Sequence, residues 1–422
     1  MNLISTTALA LVAASAAWPA AAAAQGYGSS APQQPAQVPP ASQPQQTAQP
    51  QVKPSKQALK ALIELQDAVN KNDVANIPAK VAAAEAVATT KEDRYLIAQL
   101  QLKAAVAAKN NAAIASAIDK IAASNYLAAA QMSKLYSGLA GTYYNDKQYA
   151  QAAAAYQKAL ALDASNSDAA TMLGDALSGA GRKAEALSAY QRLIQTSTAS
   201  GRKPEEGLIK RAVAAAYEAK SPMAIELARQ WVAAYPSVAS WSDAVAIYTN
   251  LNHPDVEALL DLYRLMQVVG ALKTGGEYAQ FARAAAEQNN FNEAKAVFDA
   301  GVAAKLIDPT KPEYSDLVQG LRVKARATAA DLAAATQQAA SGNALVRIGD
   351  RYLAMGDQAK AVEVYKMAIA KPGTDLAVAN LHLGMALARA GDKAGATAAL
   401  KAVTGPRAEI AKFWLTYVNQ KP

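Results

Sequence analysis

Cysteine is absent from this chain of 422 residues. Its absence excludes disulfide bridges, thiolate metal ligands and thiol nucleophiles, and it also excludes a lipid attached to an N-terminal cysteine. Histidine is almost absent, because His253 and His382 are the only two, and a histidine-rich metal site is therefore excluded as well. The fold must therefore hold together without disulfide cross-links.

Catalytic motifs are lacking too. The sequence contains no G-x-S-x-G motif of a serine hydrolase and no phosphate-binding P-loop. His253 lies in a loop before a predicted helix and His382 lies inside one, so neither has the setting of a catalytic base. We therefore predict no catalytic residue, no bound metal, no cofactor and no enzymatic activity.

Charged side chains are missing from the start of the chain, where the first is Lys53. Residues 1–24 are apolar and alanine-rich and end in an A-x-A-like sequence, which is typical of a secretory signal peptide, although the usual basic start is lacking. We predict export to a bacterial periplasm. The stretch is too short for a good transmembrane helix, and no later segment has 18 uncharged apolar residues in a row, so we expect a soluble mature chain without a transmembrane segment.

Apolar side chains are scarce in residues 25–54, where glutamine and proline recur instead. Proline at this frequency is incompatible with a helix or a strand, and little remains that a core would bury. We predict that residues 25–54 are a disordered, partly extended linker.

Strand patterns are missing from the remainder of the chain, which shows no sustained alternation of polar and β-branched residues. Good helix formers dominate instead, chiefly Ala, Leu, Lys, Gln and Glu. Polar breaks divide residues 55–132 into about four helices, and these breaks lie near residues 70–73, 89–91, 110–111 and 124–125. We expect two N-terminal helical hairpins here.

A repeat of roughly 34 residues fills the C-terminal two thirds of the chain. Pairs of identical residues stand 34 or 35 positions apart: Leu139 and Leu173, Ala152 and Ala186, Tyr156 and Tyr190, Gly349 and Gly384, Ala361 and Ala396. A repeat of this length indicates stacked helix–turn–helix units, which form a solenoid with an extended binding surface.

Residues 133–406 resemble the tetratricopeptide repeat, which has large residues at positions 4, 7, 11 and 24 and small residues at positions 8, 20 and 27. The first clear repeat matches at Tyr136, Leu139, Ala140, Tyr143, Ala152, Tyr156 and Ala159. Further strong units begin near Ser167, Gly275, Gly342 and Ala377, and we expect weaker units near 205–237, 238–274 and 309–341. The resemblance implies an all-α fold, a right-handed α-solenoid of tetratricopeptide-type helical hairpins.

The resemblance also implies a binding face. In this family, positions 2, 5, 6, 9, 12 and 13 of the first helix of each repeat tend to line a concave groove, and we call these positions the inner face. The candidate binding residues are Lys134, Tyr144, Asn145, Gln280, Arg283, Glu287, Arg347, Asp350, His382 and Arg389. The Lys/Asn/Arg clamp with which some relatives bind C-terminal carboxylates is not reproduced, so recognition of chaperone tails is not expected.

The last two repeats give the sharpest expectation for a binding site. Arg347 and His382 share position 6 of consecutive units, so stacking should place them side by side, and Arg389 should face the same groove. These three donors would suit a carboxylate or another anion. Asp350 opposes this prediction, because it would also pair with Arg347 or Arg389.

The C-terminal segment, residues 407–422, is rich in large side chains at helical spacing. A solenoid end exposes an apolar face that needs cover. We therefore predict that this segment is a capping helix.

The net charge of +8 leaves two classes of partner open. The main prediction is a scaffold or adaptor of the cell envelope that binds proteins or peptides through its concave face. The alternative is a periplasmic binder of anionic cell-wall or exported polysaccharide, held by positive charge. Nucleic acid is not expected, because the basic clusters lack interleaved aromatic residues and export would separate the protein from it.

Overall fold

The computed structural model describes residues 52–420, which contain 21 α-helices and no strand. The predicted signal peptide, residues 1–24, and all but the end of the predicted linker, residues 25–54, lie outside the described residues. The fold is an all-α solenoid of helical hairpins. No helix of the described part of the chain combines the length and the apolar character that crossing a membrane requires.

The chain divides into two compact units, the first ending at Leu193 and the second beginning at Ile194. The helices that begin in the first unit are α1 (Leu59–Asn70), α2 (Ile77–Val87), α3 (Lys91–Ala107), α4 (Asn111–Ala123), α5 (Ala129–Asn145), α6 (Tyr149–Leu162), α7 (Ser167–Gly179) and α8 (Lys183–Ala199). Consecutive helices of this unit pack as hairpins, and helix α8 runs across the division into the second unit.

The start of the described chain is tied down by a buried carboxylate. Asp93 in the first turn of α3 is fully buried and accepts hydrogen bonds from the backbone N–H groups of Ser55, at 2.8 Å, and of Thr89 and Thr90, both at 3.1 Å. Burial alone would raise the pKa of Asp93, but these hydrogen bonds outweigh it and lower the pKa to about 2. Asp93 therefore joins the segment before α1 to the entry of α3.

The second unit contains two groups of helices. The front lobe consists of α9 (Glu206–Glu218), α10 (Met223–Ala234), α11 (Val238–Asn252), α12 (Val256–Val268), α13 (Gly275–Glu287) and α14 (Phe291–Ala303). The rear lobe consists of α17 (Gly342–Ala354), α18 (Gln358–Ile369), α19 (Leu376–Ala390), α20 (Lys393–Lys401) and α21 (Ala408–Gln420).

A loosely packed hairpin joins the two lobes. It consists of α15 (Ser315–Lys324) and α16 (Ala329–Gln338), whose buried residues are only Leu317, Leu321 and Leu332. Helix α17 also packs directly against α14, so the two lobes are in contact without the hairpin between them.

Helix α21 packs across the second unit rather than only on the last hairpin. It contacts α19 and α20 of its own lobe, but it also contacts α10 and α12 of the front lobe. Phe413 and Trp414 are fully buried, and the Phe413 ring meets Tyr248 edge-on with centroids 5.9 Å apart. The predicted cap of the solenoid end is thus also a tie between the two lobes.

Glycine at position 8 of the repeat leaves room for the large side chain at position 24. A Cβ atom added to Gly349 would overlap the ring of Tyr365, and one added to Gly174 would overlap the ring of Tyr190. Gly384 meets Leu400 in the same way. The close approach of the two helices in each hairpin therefore requires glycine at these positions.

We expect Gly349→Ala to lower the free energy of unfolding of the second unit by about 1–3 kcal/mol, because the added methyl group has no room beside Tyr365. Gly320→Ala is the matched control, since a Cβ atom at Gly320 on helix α15 meets nothing within 4 Å. This control should stabilise by about 0.5–1 kcal/mol, the helix preference of alanine over glycine. Urea denaturation measures both changes, and equal signs would contradict the packing described.

Candidate functional site

The predicted inner-face residues differ widely in exposure. Six of them are exposed: Lys134, Asn145, Gln280, Arg283, Glu287 and Arg347. Tyr144, Asp350 and Arg389 are half-buried, whereas the side chain of His382 is only 1% exposed. The structure therefore separates the candidates into an open group and an internal group.

Helix α5 of the first unit carries three of the open or half-open candidates. Lys134 lies in the first half of this helix, and Tyr144 and Asn145 end it. The ring of Tyr144 meets the ring of Tyr149 edge-on with centroids 5.3 Å apart, and this contact orients Tyr144 at the end of α5.

Two glycines lie between these candidates, at inner-face positions 6 and 9. A Cβ atom added to Gly138 would meet nothing within 4 Å, and one added to Gly141 would meet only the hydroxyl of Tyr156, at 3.9 Å. Unlike Gly349, these glycines are not required by the packing of the hairpin. On the inner face of α5 they leave a strip without large side chains, which lies between Lys134 and Tyr144.

The open candidates of the front lobe are partly engaged by their own chain. Gln280 accepts a hydrogen bond of 2.8 Å from the hydroxyl of Tyr263, and Arg283 donates one of 2.8 Å to the backbone carbonyl of Glu313. Glu287 is exposed nearby on the same helix. Binding of a partner at Gln280 or Arg283 would have to compete with these contacts.

Two of the candidates, Asp350 and His382, belong to a buried ionic cluster, whose other members are Asp261, Arg264 and Glu293. These side chains come from helices α12, α14, α17 and α19, and therefore from both lobes of the second unit.

Arg264 is the central cation of this ionic cluster and is 2% exposed. Its guanidinium forms a bidentate pair with Glu293, at 2.8 and 2.7 Å, and donates to Asp261 at 3.1 Å. The carboxylate of Asp350 lies 3.8 Å from the same group. Burial opposes the charge of Arg264, but the surrounding carboxylates outweigh it and raise its pKa well above the usual value.

His382 lies between two carboxylates. Its Nε2 is 3.0 Å from Oδ1 of Asp261, and its Nδ1 is 2.7 Å from Oδ1 of Asp350. A neutral imidazole has a single N–H, so contact with a carboxylate at both nitrogens favours the doubly protonated ring. Burial would lower the pKa of His382, but Asp350 and Asp261 outweigh it and raise the pKa to about 10.

The placement expected for the anion site in the last two repeats is wrong. Arg347 is exposed, whereas His382 is buried, so the two side chains do not lie side by side on an exposed surface of the groove. Asp350 pairs with His382 and accepts a hydrogen bond of 2.6 Å from Tyr365, rather than pairing with Arg347 or Arg389. His382 does contact a carboxylate, but this carboxylate is the side chain of Asp261 and not a bound anion.

Asp261, Arg264 and Glu293 were missed by sequence reasoning. Asp261 and Arg264 have a signal in the sequence of helix α12, because they interrupt an otherwise apolar run in which every residue from Leu260 to Met266 is buried. A helix that is apolar on all sides is an interior helix, so charges within it must find partners inside the protein. The positions of those partners were not visible, because they lie in other repeats.

Clusters of His, Cys, Asp and Glu that would hold a metal ion are not found among residues 52–420. The ionic cluster pairs its carboxylates with Arg264 and His382 instead. The carboxylates of the ionic cluster therefore neutralise charges of the protein itself and do not form a set of metal ligands.

Comparison with known proteins identifies the repeat. The sequence profile of the family described as "Tetratricopeptide repeat" matches residues 143–198, which include the end of α5, all of α6 and α7, and α8 except its last residue. A comparison with curated proteins finds no match.

Two solved structures share a low level of likeness with the chain. The crystal structure of a tetratricopeptide repeat protein from Parabacteroides merdae ATCC 43184 is 12% identical, with a TM-score of 0.30, and the match covers 70% of this chain and 99% of that one. The APC/C hetero-tetramer Cut9–Hcn1 is 13% identical, with a TM-score of 0.18, and the match covers 86% and 88%. The assignment of the repeat rests on the sequence profile and on the repeat residues.

Proposed function

We propose that this chain acts in the bacterial periplasm as a scaffold or adaptor built of tetratricopeptide repeats, the family whose profile matches residues 143–198. It binds proteins or peptides along the inner face of its first unit. The fold supports a role in protein interaction, and the periplasmic location is inferred from the apolar residues 1–24.

The observation that carries the proposal is the open strip on helix α5. A Cβ atom at Gly138 would meet nothing within 4 Å and one at Gly141 only the hydroxyl of Tyr156, and Lys134 and Tyr144 lie at the two ends of this strip. A peptide backbone fits such a strip, because its polar groups approach the helix closely while Lys134 offers charge and Tyr144 offers an aromatic surface. In the second unit the corresponding residues of the rear lobe include Asp350 and His382, which pair within the chain.

We expect a photo-crosslinking side chain at Asn145 to capture the partner in living cells. The same side chain at Gln157, which is exposed on helix α6, is the matched control and should capture nothing specific. Gly138→Leu should then abolish the capture at Asn145, because leucine fills the strip while its Cβ meets no atom of the fold. Circular dichroism would check that this variant remains folded.

Capture of the same molecules from Asn145 and Gln157 would contradict this location of the binding surface. Undiminished capture in the folded Gly138→Leu variant would contradict it as well. The location in the cell is tested separately: osmotic shock should release the mature chain, and deletion of residues 1–24 should retain it inside the cell.

Binding of an anionic polysaccharide is the second candidate, favoured by the net charge of +8. Several lysines are already paired with carboxylates, among them Lys80 with Glu64 and Lys158 with Asp119. Binding by the remaining charge should weaken steeply between low and physiological salt, whereas binding along the α5 strip should change little. A salt titration with an acidic cell-wall polymer therefore separates the two candidates.

A further inference from the structure

The first hairpin of the described chain has an apolar outer face that stays exposed. Leu59 and Ile63, one turn apart on α1, are 39% and 41% exposed. The exposed residues of the neighbouring helix α2 are also mostly apolar: Pro78, Ala79, Ala82, Ala83, Ala86 and Val87. The terminal unit of a solenoid ordinarily needs a polar outer face or a cover, which α21 supplies at the last hairpin. The outer face of α1 therefore calls for a partner.

The charges around Leu59 and Ile63 are of one sign. Lys53, Lys56 and Lys60 are exposed, and no acidic residue occurs from position 52 to position 63. Lys60 follows Leu59 directly and lies one turn before Ile63 on α1. None of the three lysines forms an ion pair with a carboxylate of residues 52–420. The apolar pair is thus flanked by positive charge that the described chain does not neutralise.

The nearby carboxylates are engaged elsewhere or lie farther along α1. Glu64 forms an ion pair of 2.8 Å with Lys80 of α2, and the exposed Asp67 lies one turn beyond Ile63. Asp93 is fully buried and accepts the N–H of Ser55 at 2.8 Å. This hydrogen bond holds the segment before α1 in place, so its lysines are presented from a fixed backbone.

Charge decides between the possible covers of this face. A second copy of the chain, packed face to face, would bring three further lysines against the first three, and like charges oppose that contact. Residues 25–51 contain no acidic side chain that could neutralise the lysines. An anionic lipid bilayer meets both requirements, because its headgroups attract lysines and its acyl boundary accepts apolar side chains.

We propose that the outer face of α1, formed by Leu59 and Ile63 with Lys53, Lys56 and Lys60, binds the surface of an anionic membrane. Helix α1 lies along the bilayer surface, with its lysines among the headgroups and its two apolar side chains below them. The binding is peripheral. It goes beyond the peptide-binding strip on α5, since none of these residues belongs to that strip.

The first test measures binding of residues 25–422 to lipid vesicles by sedimentation. We expect binding to vesicles of equal parts phosphatidylglycerol and phosphatidylcholine, and none to phosphatidylcholine alone. Lys56→Gln with Lys60→Gln should weaken this binding at least about tenfold. Lys109→Gln with Lys147→Gln is the matched control, because it removes the same charge from exposed turns after α3 and α5; it should weaken binding less than about twofold.

The second test addresses the apolar part of the contact. Leu59→Gln with Ile63→Gln should weaken vesicle binding at least about fivefold, because these side chains would no longer leave water on binding. Leu162→Gln with Leu376→Gln is the matched control: these leucines are 39% and 52% exposed outside the first hairpin, and binding should not change. Circular dichroism checks folding; if the variant of α1 does not fold, the lysine variants decide.

Three results would overturn the proposal: no binding to the anionic vesicles, equal weakening by the two lysine pairs, or full binding by the folded Leu59→Gln, Ile63→Gln variant. Sedimentation equilibrium tests the rival cover. A dimer that this variant loses and that Lys56→Gln with Lys60→Gln strengthens would assign the face to a second copy and overturn the proposal as well. Capture of a partner at Asn145 is independent of these results, so the two proposals fail separately.

Discussion

Replacement of Arg264 by methionine is expected to lower the free energy of unfolding of the second unit by about 3–5 kcal/mol. The substitution keeps most of the aliphatic volume but leaves the Glu293 carboxylate without its bidentate partner in the interior. An uncompensated buried charge is among the most destabilising changes known for single substitutions. Urea denaturation followed by tryptophan fluorescence measures it, since Trp231, Trp241 and Trp414 all lie in the second unit.

Two further variants give this experiment its controls. Arg322→Met removes an exposed arginine from helix α15 and should change stability by less than about 0.5 kcal/mol. Adding Glu293→Gln to Arg264→Met should restore part of the loss, because it removes the carboxylate left without a partner. A loss below about 1 kcal/mol for Arg264→Met would show that the ionic cluster is open to water in solution.

The second large effect is a change in how stability depends on pH. The pKa of His382 is about 10 in the folded chain and about 6.5 in an unfolded one. A group whose pKa is raised by folding contributes its full stabilisation below the unfolded value and loses it as the pH rises through the folded value. The parent chain should therefore lose about 1.4 kcal/mol of stability per pH unit between pH 7 and pH 9 through this one proton.

We expect His382→Gln to remove that component of the slope. His253→Gln is the matched control, because His253 is exposed in the turn after α11 and takes no part in the ionic cluster. Urea denaturation at several pH values measures the slopes, and the two histidines give only two imidazole signals to follow by NMR. Parallel stability curves for the parent and His382→Gln would mean that His382 is neutral in the folded chain.

The period of the sequence was sufficient to predict the hairpins. A small residue at position 8 and a large one at position 24 lie 16 positions apart, and the structure places Gly349 against Tyr365 and Gly174 against Tyr190 in that way. Such contacts are local, so the residues that make them recur together along the sequence. The predicted all-α solenoid is confirmed for the same reason.

The closure of the second unit could not be predicted from the same signal. His382 and Asp261 are 121 positions apart, and Arg407 lies 152 positions from Asp255. Neither interval is a multiple of the period, and no residue type marks its distant partner. The assumption that each repeat touches only its neighbours led to the wrong environment for His382.

The long separation between Asp261 and His382 also determines when their contact can form during synthesis of the chain. Front-lobe residues are synthesised first, and Asp261 precedes His382 by 121 residues. An open row of repeats would fold step by step from its first unit. Here Asp261 lacks the histidine on α19 until that helix is made, whereas Arg264 meets Glu293 of its own lobe only 29 residues further on. A chain that ends before α19 would therefore lack the His382 contact of Asp261 but would retain both partners of the Arg264–Glu293 pair.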